Sequence, residues 1–363
     1  MIIGFPEHPA QARAVAERLG APCAIAAVHR FPDGESKVTL PVPLPEHVVF
    51  CRSLDRANDK LVELLFAAEA ARDLGATRLT LVAPYLCYMR QDTAFRDGEA
   101  VSQRIVGRFL ARCFDRLVTV DPHLHRTAAL ADALPAKQAV ALAAAPLIGA
   151  FLRARLRAPL VVGPDLESAQ WVEAVAQAAG CAFAVGDKQR RGDRDVRVEL
   201  PELAIDGREV VLVDDVASTG RTLAAAARAF RARGATRLNA IVTHGLFVGD
   251  ALEAVRAAGV GEVWSTDSVP LRPTRSRSRT CSPKACAGSP TEPGRAVAIL
   301  PVARRELPHD RHRQPAHAAH ALAHLHRRAR LGQVPQPEEP RDGARRGGGR
   351  ARGAVPVADA ARG

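Results

Sequence analysis

The chain has 363 residues, 47% of them hydrophobic and 25% charged, a length that allows two domains with ordinary cores and a balance that suits a soluble globular protein. Its net charge of +12 would ordinarily point to nucleic acid or an anionic surface, but residues 1–270 hold 32 basic and 32 acidic residues, so the whole excess sits in residues 271–363. A neutral body excludes such a surface as the reason for the charge, and neither nucleic acid nor membrane is expected as a partner.

The first twenty residues lack a long apolar core followed by a small-residue cleavage site, and no apolar run reaches membrane-spanning length, so a cytoplasmic location is expected. The stretch "RFPDGESKVTLP" (30–41) reads by itself as a hairpin turn. Beyond it, short apolar runs alternate with amphipathic helical stretches. "RLTLVAP" (78–84) follows the helix-like "DKLVELLFAAEAARDLGA", and "DRLVTVDPHL" (115–124) follows "AVSQRIVGRFLARCF". "APLVVGPD" (158–165), "REVVLVDD" (208–215) and "RLNAIVTHGLF" (237–247) each precede a helical pattern. The alternation predicts parallel strands with crossover helices, an α/β architecture in two similar halves that divide near residue 140. Gly75, Gly180 and Gly234 fall where helical patterns stop, as a C-terminal cap requires. The scattered body cysteines, Cys23, Cys51, Cys87, Cys113 and Cys181, lie in or beside apolar runs and are expected to be buried free thiols.

Residues 271–363 contain no Phe, Trp or Tyr and are built from Arg, Ala, Pro, Gly and His. Such a segment has little apolar surface to offset the entropy of ordering it, and disorder is expected. Its bias matches out-of-frame translation of GC-rich DNA better than a nucleic-acid-binding arm.

Four apolar runs end in polar residues: "APYLCYMRQD" (83–92), "VDPHLH" (120–125), "GPDLES" (163–168) and "VDDVASTG" (213–220). Open parallel sheets bind ligands beyond the carboxyl ends of their strands, and four loaded ends suggest two substrates. The last of these carries the most specific signal. Asp214 and Asp215 repel unless hydroxyls or a cation satisfy them, and the vicinal hydroxyls of a ribose do so well. Ser218, Thr219, Gly220 and Thr222 then open a helix, where backbone N–H groups and hydroxyls can receive a phosphate. A Walker A loop does not fit, because no Gly-Lys-Ser/Thr occurs.

This motif resembles the binding loop of type I phosphoribosyltransferases and of phosphoribosyl-pyrophosphate (ribose-phosphate) synthetases. Five further segments, in register over nearly all of residues 1–270, resemble the synthetases alone: 30–41, 83–92, 118–125, 163–168 and "DKQRRGD" (187–193). The chain is thus similar to the ribose-phosphate pyrophosphokinase family, in a divergent bacterial type with an aberrant C-terminal tail. The resemblance implies two tandem type I phosphoribosyltransferase-like domains, 1–140 on the ATP side and 141–270 on the ribose 5-phosphate side. It implies a ribose-phosphate diphosphokinase, using ATP, ribose 5-phosphate and Mg²⁺ and working as a homo-oligomer. By the same resemblance Phe31, Asp33, Glu35, Arg90, Gln91 and Asp92 bind ATP, and His123 and Asp165 hold the metal. Lys188 and Arg190 close over the transferring group, while Asp214, Asp215, Ser218, Thr219, Gly220 and Thr222 seat ribose 5-phosphate. Two departures stand out. Leu166-Glu167-Ser168 replaces a small Ala-Gly-Gly run after Asp165, and no closing element is recognisable after "STDSVP" (265–270). The rival readings are a phosphoribosyltransferase that consumes the pyrophosphate compound and a non-catalytic regulatory paralogue. Retention of Lys188, Arg190, His123 and Asp165 speaks against the second.

Overall fold

The structure, a computed structural model, describes residues 1–124, 126–127, 129–191, 195–199, 205, 208–270 and 298–300; for 187–191, 195–199 and 298–300 it describes the backbone alone. The first of two compact units, Met1–Arg313, contains every described residue, and the second is Gln314–Gly363.

The first half runs β1 (Ile2–Gly4), α1 (Pro9–Leu19), β2 (Cys23–Ile25), then the ribbon β3 (Ala27–Arg30) and β4 (Ser36–Thr39). It continues with β5 (His47–Cys51), α2 (Ala57–Asp73), β6 (Arg78–Ala83) and α3 (Ser102–Cys113). It closes with β7 (Arg116–Val120), α4 (Leu130–Ala133) and β8 (Gln138–Leu142). The second half runs α5 (Ala145–Arg155), β9 (Leu160–Gly163), α6 (Ala169–Ala179), β10 (Ala182–Val185), and the ribbon β11 (Asp187–Arg191) and β12 (Asp195–Glu199). Next come β13 (Glu209–Ala217), α7 (Arg221–Ala232), β14 (Arg237–Gly245), α8 (Ala251–Ala257), β15 (Val263–Thr266) and β16 (Ala298–Leu300).

Two six-stranded sheets result, ordered β2-β1-β5-β6-β7-β8 and β10-β9-β13-β14-β15-β16, and each pairs its strands in parallel. The orders correspond strand for strand, so β5 stands in the first sheet where β13 stands in the second. Parallel strands are covered on both faces, which is why "VVLV" and "LVVG" read as unbroken apolar runs. Phe50, Leu81, Leu110 and Phe114 centre the first core, and Leu212, Phe230 and Val242 centre one face of the second sheet. The other face packs Val161, Val211 and Trp264 with Val120 of β7, so one apolar cluster already spans both halves. Each such side chain, fully buried, contributes roughly 1.5–3 kcal/mol. Gly75, Gly180 and Gly234 all take positive φ; at Gly180 the N–H bonds back to Ala176 and Gln177, ending α6 as the sequence predicts.

Three expectations are corrected. Cys23 is exposed, because it lies on the edge strand β2, and Cys181 is half-buried, whereas Cys51, Cys87 and Cys113 are buried. Ala298–Leu300 forms a parallel edge strand on β15, so the second sheet does have a closing strand. The short apolar run "AVAIL" within the polar tail is its signal; the rest of the tail lies outside the described residues. The acidic pair also lies within β13, which continues through Ala217, and not beyond its end.

At the carboxyl ends of β1 and β5 the first half buries a charge network. Arg52, only 4% exposed, donates Nε to Glu7 at 2.6 Å and a terminal nitrogen to buried Glu63, and its guanidinium lies 4.0 Å over the Phe5 ring. Lys60 bonds Asp55 at 2.6 Å and the Ser53 carbonyl at 2.7 Å. Every charge here has a partner, the condition under which buried ions are tolerated.

Asp115 ties the start of β7 to its neighbours, accepting from Lys137 at 2.7 Å, the Leu79 N–H at 2.9 Å and Arg72 at 3.2 Å. Burial would raise its pKa, but these donors together hold it down at about 2. A carboxyl with a depressed folded pKa lends stability above its unfolded value, and that stability is lost as pH falls toward 2. Because Lys137 is 80% exposed and screened, Asp115→Asn should cost only about 0.5–1 kcal/mol at pH 7. Urea midpoints should show the difference between variant and parent closing by pH 2.

Candidate functional site

Three of the four loaded stretches meet at a cleft, lined from the first half by Tyr85, Arg90, Asp121 and His123 and from the second by Val216 and His244; residues 163–168 do not line it. Successive side chains on a strand point to opposite faces, so Asp214 and Asp215 part company. Asp215 accepts from His123 Nδ1 at 2.5 Å, across 92 residues of sequence. Burial would raise the Asp215 pKa, but the bond to His123 and its charge bring it below the usual carboxylate range. Asp214 goes the other way: burial, then the neighbouring charges of Asp215 and Asp165, push it well above that range. Asp215 is therefore held as an acceptor, whereas Asp214 Oδ1 accepts from the Asp215 N–H at 3.0 Å and its raised pKa keeps that carboxyl toward the protonated form.

The loop 218–220 turns β13 into α7. Gly220 takes φ +68° at the helix start, and a Cβ there would stand 2.9 Å from the Ala251 carbonyl oxygen and from Val255 Cγ2. Thr219 is exposed, Ser218 and Thr222 half-buried. The helix has no side-chain cap, so its first N–H groups are the loop's main donor set. The Ser218 carbonyl is held by the Val248 N–H at 2.9 Å.

The remaining sequence-predicted residues divide. Arg90 is exposed and reaches the cleft, while Gln91 accepts from Ser102 at 2.6 Å. Asp92 is buried and takes both the Arg126 guanidinium (2.7 Å) and the Arg126 N–H (3.3 Å), so it anchors the loop that carries His123. Asp165 caps the short turn Leu166–Ser168, accepting from the Ser168 N–H at 3.1 Å, with Glu167 exposed beside it. Phe31, Asp33 and Glu35 form the tip between β3 and β4, where Asp33 accepts from the Glu35 N–H at 3.1 Å. That ribbon is tied to α2 through Arg30 and Ser36, which both reach Glu63, and it does not line the cleft. Lys188 and Arg190 lie on β11, paired with β12; their side chains fall outside the described residues, as does His125.

Sequence reasoning missed Thr243 and His244 at the end of β14, and Trp171, whose ring lies nearly parallel to His123 with centroids 6.4 Å apart. A signal was present: "THG" ends an apolar run in the same manner as the four strand ends singled out.

Among the described residues no three His, Cys, Asp or Glu side chains stand in metal-holding geometry. Mg²⁺ is commonly held through one or two carboxylates together with substrate phosphates and not in an all-protein cage. The hard oxygen donors crowded at Asp165 and Asp214, with the raised Asp214 pKa, fit such an ion.

Residues 1–113 match the N-terminal domain of ribose phosphate pyrophosphokinase, and residues 127–257 match the phosphoribosyl transferase domain. The chain is similar to the ribose-phosphate pyrophosphokinase of Methanopyrus kandleri, 36% identical over 273 residues, which cover 74% of this chain and 92% of that protein. It is also similar to that of Sulfolobus acidocaldarius, 36% identical over 245 residues, covering 66% and 83%. Both are archaeal, and the bacterial subtype expected from the sequence finds no support in them. The crystal structure of phosphoribosylpyrophosphate synthetase from Mycobacterium smegmatis shares the fold, with a TM-score of 0.68 at 24% identity over 90% of this chain and 99% of that one. No described helix is long and apolar enough to cross a membrane.

A left-handed backbone costs an L side chain about 1–2 kcal/mol, and the crowding at Gly220 adds to it. Gly220→Ala should lower stability by about 1–3 kcal/mol in urea unfolding.

Proposed function

The chain belongs to the ribose-phosphate pyrophosphokinase family, and on that footing we propose how its residues divide the work. The protein transfers the diphosphoryl group of ATP to the anomeric hydroxyl of ribose 5-phosphate. The anomeric hydroxyl oxygen attacks the β-phosphorus and gives up its proton to solvent, the bond from that phosphorus to the α-phosphate's bridging oxygen breaks, and AMP leaves with that oxygen as phosphoribosyl pyrophosphate forms. Little covalent chemistry falls to the protein, so placement and charge neutralisation dominate.

In this reading residues 1–140 form the ATP side and residues 141–270 the ribose 5-phosphate side. The observation that carries it is the bond from His123 to Asp215, which joins a strand end of the first half to the acidic strand of the second. Asp214 accepts from the sugar hydroxyls, relieving the crowding that raises its pKa. Asp215 keeps His123 in place at the sugar's edge. The 5-phosphate sits on the N–H groups at the start of α7, helped by Ser218, Thr219 and Thr222 around Gly220. Arg90 and Gln91 face the ATP phosphates, and Asp92 acts through Arg126 on the loop between them. His123, through Nε2 because Nδ1 is bonded to Asp215, and Asp165 would hold Mg²⁺, which when bound neutralises the phosphate oxygens. Lys188 and Arg190 cover the transferring group.

Phe31, Asp33 and Glu35 contact adenine and its ribose from a neighbouring copy of the chain. This is supported by Phe31, 40% exposed on a ribbon that does not line its own cleft. A homo-oligomer follows.

The direct test is AMP formation from Mg-ATP and ribose 5-phosphate with no nucleobase present; a phosphoribosyltransferase would yield none. Lys188→Ala should lower kcat by about 10³-fold by analogy with arginine fingers while ribose 5-phosphate binding changes little. Equal loss of both would remove Lys188 from the transferring group. Asp214→Asn should raise the KM for ribose 5-phosphate about tenfold, the scale of one charge-assisted hydrogen bond, and an unchanged KM would move the sugar elsewhere.

A further inference from the structure

His244 is buried at the end of β14, 1% exposed, and borders the cleft with both ring nitrogens engaged. Its Nε2 lies 3.1 Å from the Val120 carbonyl and 3.3 Å from that of Asp121. Carbonyl oxygens only accept, so Nε2 carries the proton. Nδ1 is then bare in the neutral ring and lies 2.8 Å from the Ser268 hydroxyl, which is equally close to the Thr243 carbonyl at 2.8 Å. The nearby hydroxyls are compatible with that polarity: Thr266 donates to the Thr243 carbonyl at 2.6 Å and accepts from the Ser268 N–H at 3.2 Å. Burial agrees, lowering the His244 pKa to about 4. Edge-on contact with Tyr85, ring centroids 5.0 Å apart, closes the remaining side.

The turn holding Ser268 is itself clasped by the first half. Gln11 of α1 donates to the Asp267 carbonyl at 2.7 Å, and the Ser53 hydroxyl donates to the Ser268 carbonyl. On its other side His244 grips the end of β7, where Thr243 adds a bond to Asp121 Oδ2 at 2.9 Å. Two residues further on stands His123, bonded to Asp215. A continuous run of hydrogen bonds therefore leads from Ser53 through Ser268 and His244 to the strand end that bears the cleft histidine.

We propose that His244 is a positioning residue for the transfer reaction: a ring protonated on Nε2 that sets the end of β7, and with it His123, against Asp215. It touches no reacting atom, since both nitrogens are spent on the protein. The proposal rests on the functional reading above, and its test separates the two.

In the full chain, His244→Gln can retain a donor near the Nε2 position, whereas His244→Asn is too short to reach Val120 and retains only the link to Ser268. Asn should lower kcat by up to about 10²-fold, the cost of a misplacement on the order of 1 Å, with the KM for ribose 5-phosphate within about twofold. Gln should recover most of that loss. With ¹⁵N-labelled histidine, the parent should show His244 protonated on Nε2, and the His123 signals should move in the Asn variant and return toward the parent in Gln. If Asn fails to fold, Ser53→Ala carries the test and should move the same signals less far. A His244 proton on Nδ1, His123 signals unmoved by a folded Asn variant (or by Ser53→Ala in its place), or equal kcat loss in Asn and Gln would each overturn the proposal. A parent chain that makes no AMP refutes the functional reading instead, and the NMR comparison still decides the positioning role.

Discussion

One hydrogen bond, from His123 Nδ1 to Asp215 Oδ2, sets the terms for the rest of the cleft. It joins strand ends from two sheets that share no strand, so it can form only if both sheets and their mutual placement are correct. It also sorts the acidic pair. Asp215 takes its bond from His123 and remains an acceptor, while Asp214, whose Oδ1 accepts from the Asp215 N–H at 3.0 Å, is pushed toward its protonated form by burial and by the charges of Asp215 and Asp165.

The two halves show what happens when the same framework is finished differently. β5 and β13 occupy equivalent places in sheets of equivalent order. β13 carries Asp214 and Asp215 and leads to Gly220 at the start of α7. β5 leads into Arg52 and Ser53 and to Arg56, which also takes positive φ, at the start of α2. In the first half the space beyond the strand ends is filled from within, by Arg52, Lys60, Glu7, Glu63 and Asp55 in mutual ion pairs. Charges already paired in a buried setting have little to offer a ligand, because breaking such a pair leaves an uncompensated ion. The first half uses Ser53 and Gln11 instead to hold the turn at 267–268. One strand-end frame is spent on internal ion pairs, and the other holds His123 through Asp215.

Much of this was legible in the chain itself. Parallel strands buried on both faces must be runs of Val, Leu and Ile, and crossover helices must be amphipathic, so the α/β alternation was plain from β6 to α8. The loop at 218–222 was legible because it is local: a helix start, a glycine for positive φ and small hydroxyl residues follow one another directly. The hairpin at 30–41 was legible for the same reason, with Gly34 at φ +96° in its turn. The edge strand at 298–300 was hidden by its setting, since three residues within a polar tail give no periodicity to read.

What the sequence alone determined is therefore the strands β6, β7, β9, β13 and β14, the order of the chemically loaded ends and the identity of the acidic pair, all properties of short contiguous segments. Only the tertiary structure decided which carboxylate holds a histidine, that Asp92 serves Arg126, and that His244 links Ser268 to β7. The reason is physical. Side-chain direction on a strand and partners 24 to 124 residues apart depend on how sheets stack, and the burial that raises the Asp214 pKa and lowers that of His244 does not exist until they have.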